Sequence, residues 1–244
     1  MNPIILIPAR LAATRLPRKP LADIAGKPMI VHVWQRAMES GLGPVYVACD
    51  SEEIADAVTR AGGQAVLTQS NHASGSDRIF EALQRLDAEK RFDTVVNVQG
   101  DMPTIHPAVI RQAVMPLQRD DTFDIATLAA PITREEERLD PAVVKPVIAF
   151  RDESQTSGRA LYFSRATVPT GEGKHYHHIG IYAYRRAALE RFVSLPPSPL
   201  ERREKLEQLR ALEAGMTMGI SVIDTVPLGV DTPEHLETAR RLLA

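Results

Sequence analysis

The chain has 244 residues, of which 44% are hydrophobic and 25% charged, with a formal net charge of −2. One cysteine, Cys49, rules out an intramolecular disulfide and argues against a thiolate metal site, and the near-neutral charge lacks the broad basic face of a duplex-binding domain. No basic leader with an apolar core is visible and no run reaches the roughly 18 apolar residues that span a bilayer, so the expectation is a cytoplasmic protein with no nucleic-acid partner and no membrane insertion.

The apolar run Ile4-Ile5-Leu6-Ile7, stopped by Pro8, predicts a buried strand. Four cations, Arg10, Arg15, Arg18 and Lys19, follow before the first acid, Asp23. A basic loop at the carboxyl end of a strand is where open α/β proteins bind ligands, and its charge suits a polyanion such as a nucleoside triphosphate. The plain alternative is a solvated surface loop. The coincidence of strand, loop and ordered cations favours a ligand.

Pro28 fits a first helical turn, Ile30, Val33, Trp34, Ala37 and Met38 recur at helical spacing, and Gly41 is a stop. Val45 to Ala48 reads as a strand, with Cys49 as a buried thiol at its end. Ser51 is a cap for a helix on Ile54, Ala55 and Val58 that closes at Gly62-Gly63. Ala65 to Thr68 is a third strand. A polar segment then leads through Ser74-Gly75-Ser76-Asp77-Arg78 into a helix marked by Ile79, Phe80, Leu83 and Leu86.

Thr94 to Val98 is a strand ending on Gln99-Gly100-Asp101, which puts an acid at a sheet edge. Ile125 to Ala130, Val143 to Phe150 and His178 to Tyr184 read as strands, and Pro199 to Ala214 as one long charged helix. Residues 150–174 are the least patterned and read as an insertion or oligomerisation arm. Ile220 to Ile223, a turn at Pro227 and a helix from Pro233 to Leu243 close the chain. Strands alternating with helices predict an α/β fold with a mainly parallel sheet flanked by helices.

No G-x-x-x-x-G-K-[ST] and no G-x-G-x-x-G occurs. A triphosphate would therefore be neutralised by side chains and metal, with Arg10, Arg15 and Lys19 as the cations. Asp101 beside a triphosphate is repelled unless a divalent cation sits between them. Asp231, in Gly229-Val230-Asp231-Thr232-Pro233, is a second oxygen donor for Mg²⁺, or a helix cap before Pro233. His175, His177 and His178 lack a companion ligand pattern for a transition metal. The first two are expected in an exposed turn, and His178 opens a strand with its ring placed to donate into a pocket. By periodicity, Arg165 and the Glu207-Gln208 pair are surface or salt-bridge residues.

Across essentially the whole chain these segments resemble the 3-deoxy-D-manno-octulosonate cytidylyltransferases, or CMP-Kdo synthetases. The resemblance lies in Ile7-Pro-Ala-Arg10, Thr14-Arg15-Leu16-Pro17, Lys19-Pro20-Leu21, Gly26-Lys27-Pro28-Met29-Ile30, Ser74-Gly75 with Arg78, and Asn97-Val98-Gln99-Gly100-Asp101. It continues through Ala160-Leu-Tyr-Phe-Ser-Arg165-Ala166, His178-Ile-Gly-Ile-Tyr182, Leu206-Glu207-Gln208-Leu209-Arg210 and Val230-Asp231-Thr232-Pro233. The early segments are shared with other sugar nucleotidyltransferases, and the later ones narrow the match to the Kdo branch.

The resemblance implies one Rossmann-like nucleotidyltransferase domain over residues 1–244, with a nucleotide-binding part about 1–130 and a sugar-binding and dimer-contact part about 131–225. It implies CMP transfer from CTP to Kdo for lipopolysaccharide assembly, dependent on Mg²⁺, in a homodimer. Arg10, Arg15 and Lys19 would bind the triphosphate, with Lys19, Arg10 and Asp101 carrying catalysis. Ser74, Gly75, Arg78 and Gln99 would surround the nucleotide, Asp101 and Asp231 would hold the metal, and Arg165, His178, Glu207 and Gln208 would line the sugar pocket. Three positions depart from the family pattern: Arg18 replaces the usual Gly, Ser76-Asp77 a Thr-containing step, and Met102 a Glu or Gln. A related acceptor sugar and a nucleotide-binding regulator without turnover are the competing readings.

Overall fold

Ile4, Ile5, Leu6 and Ile7 are all fully buried in strand β1 (Pro3–Ala9), so the opening run is covered on both faces. The computed structural model describes residues 1–12 and 15–244, and Thr14 of the basic-loop motif lies outside the described residues. Two compact units make up the chain, Met1–Arg111 with Pro227–Ala244, and Gln112–Val226.

In the first unit β1 leads through a 3-10 turn, Lys19–Leu21, to a hairpin of β2 (Asp23–Ile24) and β3 (Lys27–Pro28). Its two turn residues, Ala25 and Gly26, have φ of 48° and 79°, as a type I′ turn requires. Then come α1 (Met29–Glu39), β4 (Val45–Cys49), α2 (Glu52–Arg60), β5 (Gln64–Leu67), α3 (Gly75–Leu86), β6 (Thr94–Asn97) and α4 (Pro107–Arg119). Pro28 precedes the helix as its N-cap residue and is not part of the first turn.

β1 pairs in parallel with β4 and β6, and β4 with β5. This unit carries the expected parallel sheet. Because these strands run the same way, the segments after β1, β4 and β6 all leave from one edge, where open α/β sheets place ligands. Gly100, just past β6, lets the chain press against β1: a Cβ there would lie 2.8 Å from the Pro8 carbonyl oxygen and 3.3 Å from Ile30 Cδ1. Gly100→Ala is expected to cost about 1–3 kcal/mol by overpacking and to displace Asp101. Thermal unfolding checks this, and the melting temperature should fall.

The second unit contains β7 (Ile125–Pro131), α5 (Glu135–Leu139), β8 (Lys145–Phe150), β9 (Ser157–Ser164), β10 (Tyr176–Arg185), α6 (Arg186–Ser194), α7 (Pro199–Glu204), α8 (Leu209–Glu213) and β11 (Met218–Val222). β7 pairs antiparallel with β10 and parallel with β11, β11 antiparallel with β9, and β9 antiparallel with β8. These pairings place β7 in this unit, which begins at Gln112.

Two expectations are corrected. Within the unpatterned stretch Ser157–Ser164 form β9, an ordinary sheet strand, while residues 151–156 and 165–175 lack helix and strand. The long charged helix is two short ones, interrupted after Glu204 where Lys205 takes a left-handed conformation with φ of 56°. From Pro227 the chain belongs to the first unit and ends in α9 (Pro233–Leu243). Val230, Leu236 and Ala239 pack there with Ile24 and Met29, and Leu16 of the basic loop lies against them.

Candidate active site

A cleft of about 370 Å³ opens at the carboxyl edge of the parallel strands, and the first unit supplies all of its lining. The basic loop contributes Arg10, Arg15 and Lys19, the start of α3 contributes Ser74, Gly75 and Arg78, the segment after β6 contributes Gln99, Gly100 and Asp101, and the segment leading into α9 contributes Asp231. Every sequence-predicted nucleotide and metal residue therefore faces one space.

Asp101 and Asp231 meet because the Val230 amide donates to the Asp101 carbonyl at 2.8 Å. Burial of Val230 in the apolar cluster fixes that contact. Lys19 Nζ then lies 2.9 Å from Asp101 Oδ2 and 2.9 Å from Asp231 Oδ1, and Arg15 Nη2 is 3.4 Å from Asp231 Oδ2. Burial by itself would lower the Lys19 pKa, but the carboxylates of Asp101 and Asp231 outweigh it and hold the ammonium above its ordinary value. For Asp231 burial acts upward, yet Lys19 and then Arg15 hold the carboxyl below the usual range. Asp231 is not the helix cap: Thr232 Oγ1 accepts the His235 amide at 3.3 Å, which releases the Asp231 carboxylate to the cleft.

Ser74 caps α3, accepting the Asp77 amide at 3.2 Å and donating to Asp77 Oδ2 at 2.9 Å. The acid that departs from the family pattern is thus turned onto the cap. Arg18 adopts φ of 56°, the left-handed region where Gly is at ease, and its guanidinium pairs with Glu53. Arg78 is buried, with Nη1 donating to Thr68 Oγ1 at 2.7 Å and to the Gln69 carbonyl at 3.1 Å. His72, partnered by Glu81, also lines the cleft and was missed by sequence reasoning, since one His in a polar loop carries no periodic signal. Cys49 is buried, which pushes its thiol up to about 11 and leaves it no role as a nucleophile.

The other four predicted residues lie in the second unit. Arg165 donates from Nε to the Glu204 carbonyl at 2.9 Å, from Nη1 to the Pro141 carbonyl at 2.9 Å, and from Nη2 to the Lys205 carbonyl at 3.4 Å. Glu204 secures the same turn, accepting the Arg165 amide at 3.0 Å and the Ser164 hydroxyl at 2.8 Å. Gln208 is buried at the start of α8, and Glu207 Oε1 is 4.0 Å from Arg210. His175 is buried against the Pro169 carbonyl, so the expected exposed turn does not begin there.

His178 sits edge-on to Phe163 and 3.0 Å from Thr127 Oγ1. The Thr127 hydroxyl also lies 2.8 and 3.1 Å from the Ile181 and Ile179 carbonyls, which only accept, so it bridges the ring to the backbone. Burial holds the ring neutral, with a pKa of about 3. Below about pH 6.5 the unfolded chain binds a proton that the folded ring does not, so stability falls as pH drops through that window. An NMR pH titration should show no His178 transition near neutrality, and one with an ordinary midpoint contradicts the assignment.

A family model described as Cytidylyltransferase matches residues 4–218. The chain is 66% identical to the 3-deoxy-manno-octulosonate cytidylyltransferase of Azorhizobium caulinodans over 99% of its own length and 95% of that protein. It is 62% identical to the enzyme so named from Paramagnetospirillum magneticum, over 100% of this chain and 98% of that one. A solved structure of a CMP:2-keto-3-deoxy-manno-octonic acid synthetase complexed with CTP matches with a TM-score of 0.91 at 38% identity, covering 99% of this chain and 98% of the other. At 12% identity, a 4-diphosphocytidyl-2C-methyl-D-erythritol synthase from Anaerococcus prevotii shares the fold, with a TM-score of 0.64.

Proposed function

The chain belongs to the cytidylyltransferase family, and from that premise we infer that it transfers CMP from CTP to the anomeric 2-hydroxyl of Kdo, releasing pyrophosphate. The observation that carries this reading is one cleft in which three cations converge with two carboxylates from distant parts of the chain.

In the reaction the sugar oxygen bonds to the α-phosphorus, the bond from that phosphorus to the β-phosphate bridging oxygen breaks, and the hydroxyl proton passes to water. Arg10, Arg15 and Lys19, which line the cleft, would bind the triphosphate and the charge that gathers on departing pyrophosphate. The first turn of α3 and Gln99 hold the cytidine end. By the family resemblance Arg165, His178, Glu207 and Gln208 would line the sugar site, and the turn that Glu204 secures holds Arg165 in place. Positioning supplies most of the rate, and no protein nucleophile is required.

Asp101 and Asp231 would hold Mg²⁺. Both are hard oxygen donors already directed at one cationic point, and no group of three or more ligating side chains occurs among the described residues. That donor set fits an ion which takes one or two carboxylates and fills its shell with phosphate oxygens and water. When bound, the ion supplies charge neutralisation at the phosphate oxygens. No helix among the described residues is long and apolar enough to cross a membrane. A cytoplasmic enzyme, acting as a homodimer and feeding lipopolysaccharide assembly, completes the reading.

Purified protein mixed with CTP, Mg²⁺ and Kdo should release pyrophosphate only when all three are present. Release that ignores Kdo, or none at all, overturns the reading.

A further inference from the structure

Two segments that line the cleft, the loop after β1 and the first turn of α3, are joined by one side chain outside it. Asp50, the residue after β4, accepts the Leu11 amide on Oδ1 at 2.9 Å, and its Oδ2 lies 3.4 Å from Arg78 Nη2. Through Thr68 and the Gln69 carbonyl, Arg78 also reaches the segment that leads toward α3. The pair is well shielded, with side-chain exposures of 10% for Asp50 and 4% for Arg78.

We propose that Asp50 is a positioning residue for the nucleotide, setting the path of the chain beside Arg10 through Leu11 and fixing Arg78 against α3. The proposal rests on the functional reading above and extends it to a residue that lies outside the cleft lining. Leu11 directly follows Arg10, so an anchored Leu11 amide limits where the Arg10 guanidinium can reach. A shielded guanidinium that loses its carboxylate partner leaves an uncompensated charge, so the Asp50–Arg78 contact also restrains the side of the cleft opposite the basic loop.

Two substitutions separate the two contacts. Asp50→Asn keeps an oxygen acceptor for the Leu11 amide and removes the charge facing Arg78, whereas Asp50→Ala removes both. Calorimetric CTP binding in Mg²⁺, KM for each substrate and the melting temperature are measured for both variants and the parent. Asp50→Ala is expected to weaken CTP binding by about tenfold or more, the scale of a lost hydrogen bond to a charged group, with KM for Kdo unchanged within about twofold. Asp50→Asn should fall between Ala and parent. If Asp50→Ala does not fold, the Asn variant decides alone.

Parent-like CTP affinity in the folded variants overturns the proposal. So does a matching loss for both substrates, which marks a general loosening of the fold. A parent protein that binds CTP but makes no product with Kdo overturns the functional reading and leaves the Asp50 result standing by itself.

Discussion

Asp101→Asn is expected to lower turnover by about 10²-fold or more while the protein stays folded. The substitution keeps the shape of the side chain and the backbone carbonyl that receives the Val230 amide, so the link to the α9 entry survives. What disappears is half of the anionic pair that faces the triphosphate. A metal-held phosphate oxygen contributes several kcal/mol to a transition state, and each 1.4 kcal/mol or so is a factor of ten in rate. Steady-state kinetics at saturating CTP and Kdo, beside circular dichroism of the same sample, test this. Parent-like turnover excludes Asp101 from the site.

Lys19→Met should raise KM for CTP by about 10- to 100-fold, the range of a charge-assisted hydrogen bond to phosphate, and should also lower kcat. It carries a second consequence. In the free protein Lys19 joins Asp101 and Asp231, so its loss leaves two carboxylates facing each other without their shared cation. We expect a stability loss of about 1 kcal/mol, at the low end for such contacts because Asp231 is 42% exposed and solvent screens it.

The pH dependence of that contribution follows from the two shifts. Lys19, raised above 10.5, supports the fold below that pH and stops doing so as pH rises through its folded value; Asp231, lowered below 3.8, supports it above that pH and stops as pH falls through its folded value. The stability difference between parent and Lys19→Met should therefore be constant across the neutral range. A variant that binds CTP and melts like the parent removes Lys19 from both roles.

Much of the nucleotide unit was legible in the sequence because its signals are local. The buried run of β1 and the cap at Ser51 formed as read, the Ser51 hydroxyl accepting the Glu53 amide at 3.2 Å. The α4 helix was missed, with Pro116 inside it masking the helical pattern. The break at Lys205 was hidden because a non-glycine residue occupies the left-handed position. β9 went unseen because its partners, β8 and β11, are defined only by the folded sheet.

The site divides in the same way. Asp101 was found because an acid ends a strand, and the same criterion, applied to β4, points to Asp50. Asp231 taken alone read more as a cap than as a ligand, and the structure gives the cap to Thr232 instead. That Lys19 lies on both aspartates could not be read from spacing, since the meeting depends on the Val230 amide and the apolar cluster beneath it. Arg165 and Gln208 read as surface residues by periodicity, yet one is tied into a turn by backbone carbonyls and the other is buried.

A crystal structure of the protein with CTP and Mg²⁺ addresses the central claim most directly. The expected result is one ion in contact with the Asp101 and Asp231 carboxylates and with triphosphate oxygens, and Lys19 beside the same phosphates. An ion held on the nucleotide with both aspartates turned elsewhere contradicts the account.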